Sequence, residues 1–210
     1  MNNLLRQISN TPVTNSVISG LYPNIKAINK KISELERSDA LVRLKRGLYV
    51  ASPEITNTPL STELIANHLY SPSYVSCLTA LRFYGLIPEA VFFTQSMTIK
   101  RGRSYDTKIG HFQYFTCSKE AFAIGVTMEK TSNNQQFLIA TPEKALCDLI
   151  ATTPSLNLRY KRETEEYLEQ SLRLDMEEFY KMRLSIFQEY ATIGRKANSV
   201  QQIINLLCNS

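Results

Sequence analysis

Between residues 24 and 38, apolar side chains fall at Ile25, Ile28, Ile32 and Leu35, a spacing that gathers them on one stripe of an α-helix. Immediately after Asp39 the period changes. Leu41-Val42-Arg43-Leu44 and Leu48-Tyr49-Val50 flank Lys45-Arg46-Gly47, which reads as a short β-hairpin with a basic tip and a glycine for the turn. An amphipathic helix running straight into a tight hairpin leaves few folds open to the first 53 residues. Upstream, residues 3–9 and 14–21 read as two short helices separated by Thr11-Pro12, with Gly20 near the end of the second. Pro23 suits the first turn of the third helix and Asn24 its cap.

Three helices followed by a hairpin is the element order of a winged helix-turn-helix, whose third helix enters the major groove of DNA. On the face opposite the apolar stripe, Lys26, Lys30, Ser33 and Arg37 stand at i, i+4, i+7 and i+11, one continuous line. Lys and Arg suit phosphates and guanine edges, and Asn29 on the flank suits adenine. Arg43, Lys45 and Arg46 of the hairpin would then lie along the phosphate backbone or dip into the minor groove. The charge distribution agrees. Residues 1–53 hold eight basic and three acidic side chains, which accounts for the whole net charge of +5; the remaining 157 residues carry equal numbers of each sign. The plainer reading is a solvated helix face with Glu34 beside the lysines. RNA is disfavoured, because no aromatic cluster is placed to stack on splayed bases.

Two prolines and several small polar residues interrupt all periodicity between Ala51 and Ser61. The chain therefore divides into a DNA-binding domain (residues 1–53), a linker (54–61) and a second domain (62–210). In the latter, residues 62–70 and 73–84 read as helices, the second stopped by Gly85. From Val91 to Phe137 the texture is β-like, with strands around Met97-Thr98-Ile99, residues 111–115, 124–127 and 136–139. Thr141-Pro142-Glu143 opens another helix, and residues 163–172, 175–190 and 199–208 complete the chain as helices. The expected fold class is α+β: a winged helix-turn-helix, then a mixed domain of helices and an antiparallel sheet.

Chemistry is sparse in the second domain. Asp106-Thr107-Lys108 has the spacing of a nuclease motif, but composition alone supplies such a triplet by chance. No Gly-rich phosphate loop, His-Glu-x-x-His or Gly-x-Ser-x-Gly is present, so no catalytic residue is expected. Lys100, Arg101 and Arg103 could contact nucleic acid or an acidic partner, or could simply form a solvated turn. Cys77, Cys117, Cys147 and Cys208 are spaced 40, 30 and 61 residues apart, and only His68 and His111 could supplement them; neither a metal nor a cofactor is expected. The N-terminus lacks the apolar stretch of a signal peptide and no later run approaches a membrane span. The expectation is a cytoplasmic protein with reduced thiols.

Three motifs, in this order and at these distances, carry a resemblance that covers most of the chain: residues 44–49 (Leu-Lys-Arg-Gly-Leu-Tyr); residues 73–81 followed by Tyr84-Gly85-Leu86-Ile87-Pro88; and residues 140–149 (Ala-Thr-Pro-Glu-Lys-Ala-Leu-Cys-Asp-Leu). The chain resembles the AbiEi-type antitoxins of bacterial type IV toxin-antitoxin systems. The resemblance implies a winged helix that binds inverted repeats of double-stranded DNA in its own promoter, and a second domain that counteracts a nucleotidyltransferase toxin encoded nearby. An inverted repeat allows a dimer on DNA. Within the middle motif, Val75, Leu78, Leu81 and Leu86 have core spacing. Two alternatives stand beside this reading: a stand-alone regulator whose second domain senses a ligand or dimerises, and, more remotely, a DNA-binding nuclease.

Overall fold

The computed structural model describes residues 3–131 and 133–208 of the mixed α+β chain. A turn of 3₁₀ helix (Asn3–Ile8) leads through β1 (Val13–Thr14) into α1 (Asn15–Leu21), then α2 (Ile28–Arg37) and a hairpin of β2 (Leu41–Lys45) and β3 (Leu48–Ala51). β3 lies between β1 and β2 in an antiparallel three-stranded sheet. The third helix starts four residues later than its apolar spacing predicts. Tyr22 O accepts from Ile25 N at 3.0 Å, closing a turn with Pro23 in its second position, where the fixed proline φ is an advantage. Pro23 thus makes a turn instead of a helix start, Asn24 caps nothing, and Ile25 is exposed. The stripe that packs is Ile28, Ile32 and Leu35, still at i, i+4 and i+7.

α2 ends through its backbone. Asp39 adopts a left-handed φ of 52°, Ala40 N donates to Leu35 O (2.9 Å) and Asp39 N to Glu36 O (3.2 Å), the paired bonds of a Schellman ending. Leu35 and Ala40 are both buried in the small N-terminal core with Leu5, Ile18, Leu41 and Tyr49. The chain thereby enters β2 at a fixed angle to α2.

The predicted linker is structured. Residues Pro53–Thr56 form a short helix, α3, with Ser52 Oγ accepting from Glu54 N at 3.3 Å. Arg6 Nε donates to Ile55 O (3.0 Å) and Asn10 Nδ2 to Thr58 O (3.0 Å), so the segment is pinned to the N-terminal helices. The core also crosses the predicted boundary. Tyr49 and Ala51 face the N-terminal helices, whereas Leu44, Leu48 and Val50 belong to the large core of the second unit, leaving β3 buried on both faces.

That second unit runs α4 (Thr62–Leu69), β4 (Ser73–Val75), α5 (Cys77–Phe83), β5 (Phe93–Thr98), β6 (Arg103–Asp106), β7 (His111–Thr116), α6 (Lys119–Phe122), β8 (Val126–Lys130), β9 (Gln136–Ala140) and α7 (Pro142–Thr152). It continues with α8 (Lys161–Glu166), a π-helical turn (Tyr167–Ser171), α9 (Met176–Phe179), α10 (Leu184–Ile193) and α11 (Ala197–Leu207). The six strands are ordered β6-β7-β5-β4-β9-β8. The sheet is mixed, which corrects the expectation of an antiparallel one: β4 pairs parallel to β9 and β5 parallel to β7. β6 hairpins onto the outside of β7, so the chain comes back to β5 in the same direction. A second correction concerns residues 73–84, which split into β4 and α5. Ser73, Tyr74 and Val75 occupy the middle of the sheet, fully buried, where aromatic and β-branched side chains pack best.

Candidate nucleic-acid interface

α2 presents Asn29, Lys30, Ser33, Glu34 and Arg37 to solvent while Ile32 and Leu35 are buried. Lys30 and Arg37 are seven residues apart, about 10 Å along the axis at 1.5 Å per residue. Ser33 Oγ donates back to Asn29 O at 3.0 Å, so the hydroxyl proton is engaged within the helix. The later helix start removes Lys26 from the predicted line; it lies exposed in the segment leading into α2. Lys31, on the flank, pairs with Glu34 (3.6 Å) and stands 5.8 Å from the Tyr22 ring centroid. Among the described residues, Lys26, Lys30, Arg37, Arg43 and Arg46 have no acidic partner within ion-pair distance. Their charges face water.

The hairpin divides its basic residues between two faces, and a β-bulge is the cause. Arg43 pairs with Tyr49 and Lys45 with Leu48, so Leu44 is the extra residue of β2. Cross-strand partners point the same way. Arg43 therefore shares the face of Tyr49, toward the N-terminal helices, and remains exposed at the edge. Lys45 is turned to the face of Leu48, toward the second unit, where its amine donates to Leu69 O and lies over the Tyr105 ring. Lys45 was expected beside Arg43 and Arg46 on the phosphate backbone, and the bulge turns it away from them. Arg46, at the tip beside Gly47 (φ 78°), is exposed.

Lys45 opens onto a second basic surface. Burial first, then the neighbouring Lys100 and Arg103, hold its amine below the ordinary lysine range. Arg103 stacks over Tyr105 (5.2 Å), Lys100 over Tyr70 (5.4 Å), and Tyr70, Tyr105 and Tyr114 contact one another edge to face or tilted. Lys100 Nζ also donates to Ser71 O at 2.6 Å, and Arg101 is exposed, its carbonyl accepting from Tyr70 OH (3.1 Å). The predicted solvated turn is thus built onto tyrosines, and Arg103 opens strand β6 at the edge of the sheet. Cations 55 residues apart in sequence, Lys45 and Lys100, meet here. Tyr70 and Tyr105, which hold them, gave no sign in the sequence, because Lys100 lies 30 residues beyond Tyr70 and Lys45 lies 60 before Tyr105.

The nuclease-like triplet does not converge. Asp106 contacts His111 Nδ1 across the β6–β7 hairpin, while Lys108 reaches Asp39 of the N-terminal unit at 3.6 Å. Among the described residues, no group of three or more His, Cys, Asp or Glu is placed to hold a metal ion, and no helix is long and apolar enough to cross a membrane.

The second and third sequence motifs meet in the core through polar atoms that sequence reasoning missed. Asp148 accepts from Tyr74 OH (3.0 Å), Ser76 Oγ (2.8 Å) and Lys144 Nζ (2.8 Å), all of them fully buried. Lys144 Nζ also lies 4.4 Å from the Tyr190 ring centroid. Burial pushes the Asp148 carboxyl upward against the opposing pull of Lys144 and the two hydroxyls. The available signal was Lys144 and Asp148 at i, i+4 with apolar residues filling the positions between them and as far as Ala151. Walled in on every side, the pair joins α7 to β4.

No protein-family model matches the chain, and no curated protein matches it.

Proposed function

We propose that this chain is a cytoplasmic, DNA-binding antitoxin that represses its own promoter. The N-terminal unit acts as a winged helix-turn-helix, with α2 in the major groove and the β2–β3 hairpin as wing. One observation carries the reading. In a unit with the helix–strand–helix–helix–strand–strand order and sheet order β1-β3-β2, the solvent-facing cations Lys30, Arg37, Arg43 and Arg46 have no acidic partner within ion-pair distance among the described residues. Unpaired cations on one small surface attract phosphates and release counterions on contact. Asn29 is the residue of α2 suited to reading adenine, and Lys30 and Arg37 suit guanine or phosphate.

The role of the second unit rests on the family resemblance, which implies that it counteracts a nucleotidyltransferase toxin. Its neutral charge balance favours shape and specific contacts over bulk electrostatics. Two experiments test the two halves separately. Footprinting of DNA upstream of the gene is expected to protect an inverted repeat, with Asn29→Ala relaxing preference at one base of each half-site; no protection would overturn the DNA-binding half. Co-expression with the neighbouring gene product is expected to restore growth that the neighbour alone arrests. Growth arrest unrelieved by this chain would overturn the antitoxin half and leave a stand-alone repressor.

A further inference from the structure

The exposed turn from Lys100 to Arg103 has a fixed backbone. Lys100 N donates to Thr98 Oγ1 (3.2 Å) and Lys100 O accepts from Thr116 Oγ1 (3.0 Å). Arg101 O accepts from Tyr70 OH, and Gly102 lies so close to β7 that a Cβ there would stand 3.0 Å from Tyr114 O. The ammonium groups are held as well. The segment joining α4 to β4 turns two carbonyls toward them: Leu69 O accepts from Lys45 Nζ, and Ser71 O from Lys100 Nζ. Lys45 Nζ stands 5.9 Å and Arg103 Cζ 5.2 Å from the Tyr105 ring centroid, so a lysine of the wing and an arginine of the second unit's sheet share one ring.

Among the described residues, none of Lys45, Lys100, Arg101 and Arg103 has an acidic partner within ion-pair distance. Asp106, the acid of β6, pairs with His111, and as the neighbour of Tyr105 on a strand it points to the opposite face of the sheet. Cations gathered without a counter-charge repel one another, and Lys100 and Arg103 both help to hold the Lys45 amine below its ordinary range. A bound anion relieves that repulsion, and side chains already braced on carbonyls and rings lose less freedom when it binds. One carboxylate neutralises a single cation of the cluster. A short phosphate chain carries several charges over a few ångströms and offers oxygens both to the lysine point charges and to the arginine fork. Duplex DNA is the poorer match, because the bulge directs Lys45 to the face of Leu48 and away from that of Arg43.

We infer that the Lys45–Lys100–Arg103 surface binds a small oligophosphate, free or as the phosphate chain of a nucleotide, at the junction of wing and sheet. The site uses no residue of α2, so it stands or falls separately from the DNA-binding reading.

The test is calorimetric titration of the full chain, in magnesium-free buffer of fixed ionic strength, with inorganic tripolyphosphate, ATP and orthophosphate. Tripolyphosphate is expected to bind at least about tenfold more tightly than orthophosphate. ATP binding as tightly as tripolyphosphate assigns recognition to the phosphate chain alone, and tighter binding adds the nucleoside. Lys100→Gln with Arg103→Gln, both at exposed positions, is expected to weaken tripolyphosphate about tenfold or more. Lys100→Arg with Arg103→Lys keeps the charge and is expected to stay within about threefold of wild type, which separates loss of charge from loss of fold. Lys30→Gln with Arg37→Gln, on α2, is expected to leave tripolyphosphate binding unchanged. Absence of tripolyphosphate binding at millimolar concentration, or an equal loss from the α2 pair and the Lys100–Arg103 pair, would overturn the proposal. So would a Lys100→Gln, Arg103→Gln variant that loses affinity for a random duplex while tripolyphosphate binding is untouched, since the cluster would then be a DNA contact.

Discussion

Asp148 is the most consequential single residue in the second unit, because an ionised carboxylate at full burial is tolerable only with every partner in place. Removing Lys144 leaves that charge uncompensated. Lys144→Met is expected to cost about 3 to 5 kcal/mol in urea-induced unfolding, and Lys144→Met with Asp148→Leu markedly less than either alone. A double variant as damaged as the sum of the singles would show that the pair is not acting as a pair. The cysteines allow a simpler measurement. Burial pushes the Cys117 thiol up to about 11 and raises Cys77 and Cys147 as well, whereas Cys208 is exposed. Only the thiolate attacks an aromatic disulfide reagent, so one thiol per chain, that of Cys208, is expected to react before denaturation and the others after it. Rapid reaction of several native thiols would contradict the packing. At this scale the sequence was informative where chemistry is local, as for the exposed Lys30 and Arg37. It was silent where partners meet from distant segments, as for Asp148 with Tyr74.

At the level of elements, the hairpin was readable because its period and its glycine are local signals. Its aim was not. The bulge at Leu44 arises from how β2 fits β3, and it sends Lys45 to Tyr105 while Arg43 stays with the N-terminal face. Gly47 holds the turn at φ 78°, and no atom lies within 4 Å of where a Cβ would stand. Gly47→Ala is therefore a backbone test free of clashes. A loss of about 1 kcal/mol is expected from the left-handed conformation, and an unchanged midpoint would mean the turn relaxes at no cost. The same locality explains the misplaced start of α2: Pro23 suits either a helix's first turn or the second position of a β-turn, and only the Tyr22–Ile25 bond chooses between them. β4 reads as helix because three residues are too short for a period to show, and its central place in the sheet decides the matter.

Across the whole molecule, charge and composition predict a boundary after residue 53, and the continuity of the core across the β2–β3 hairpin was not legible. Leu44, Leu48 and Val50 complete the large core from the N-terminal side, and Gln135 Nε2 donates to Thr11 Oγ1 (2.9 Å) across the same junction. Nothing in a linear pattern announces that a hairpin is buried on both faces. Heat or denaturant is expected to unfold the chain in one transition, with Leu48→Ala lowering the midpoint seen by probes in both units, a loss of about 2 to 4 kcal/mol in unfolding free energy. Two resolved transitions, of which the variant moves only one, would show that the junction does not couple them.

The proposed DNA surface also belongs to this scale, since it combines exposed cations from a helix and a hairpin. Its most direct test is the dependence of promoter affinity on salt. For the wild-type chain, log K is expected to fall linearly with log salt concentration. Replacing Lys30, Arg37, Arg43 and Arg46 together by alanine is expected to flatten that slope by about three to four, with the folded state intact because none of the four makes an ion pair among the described residues. An unchanged slope in a folded variant would contradict the account.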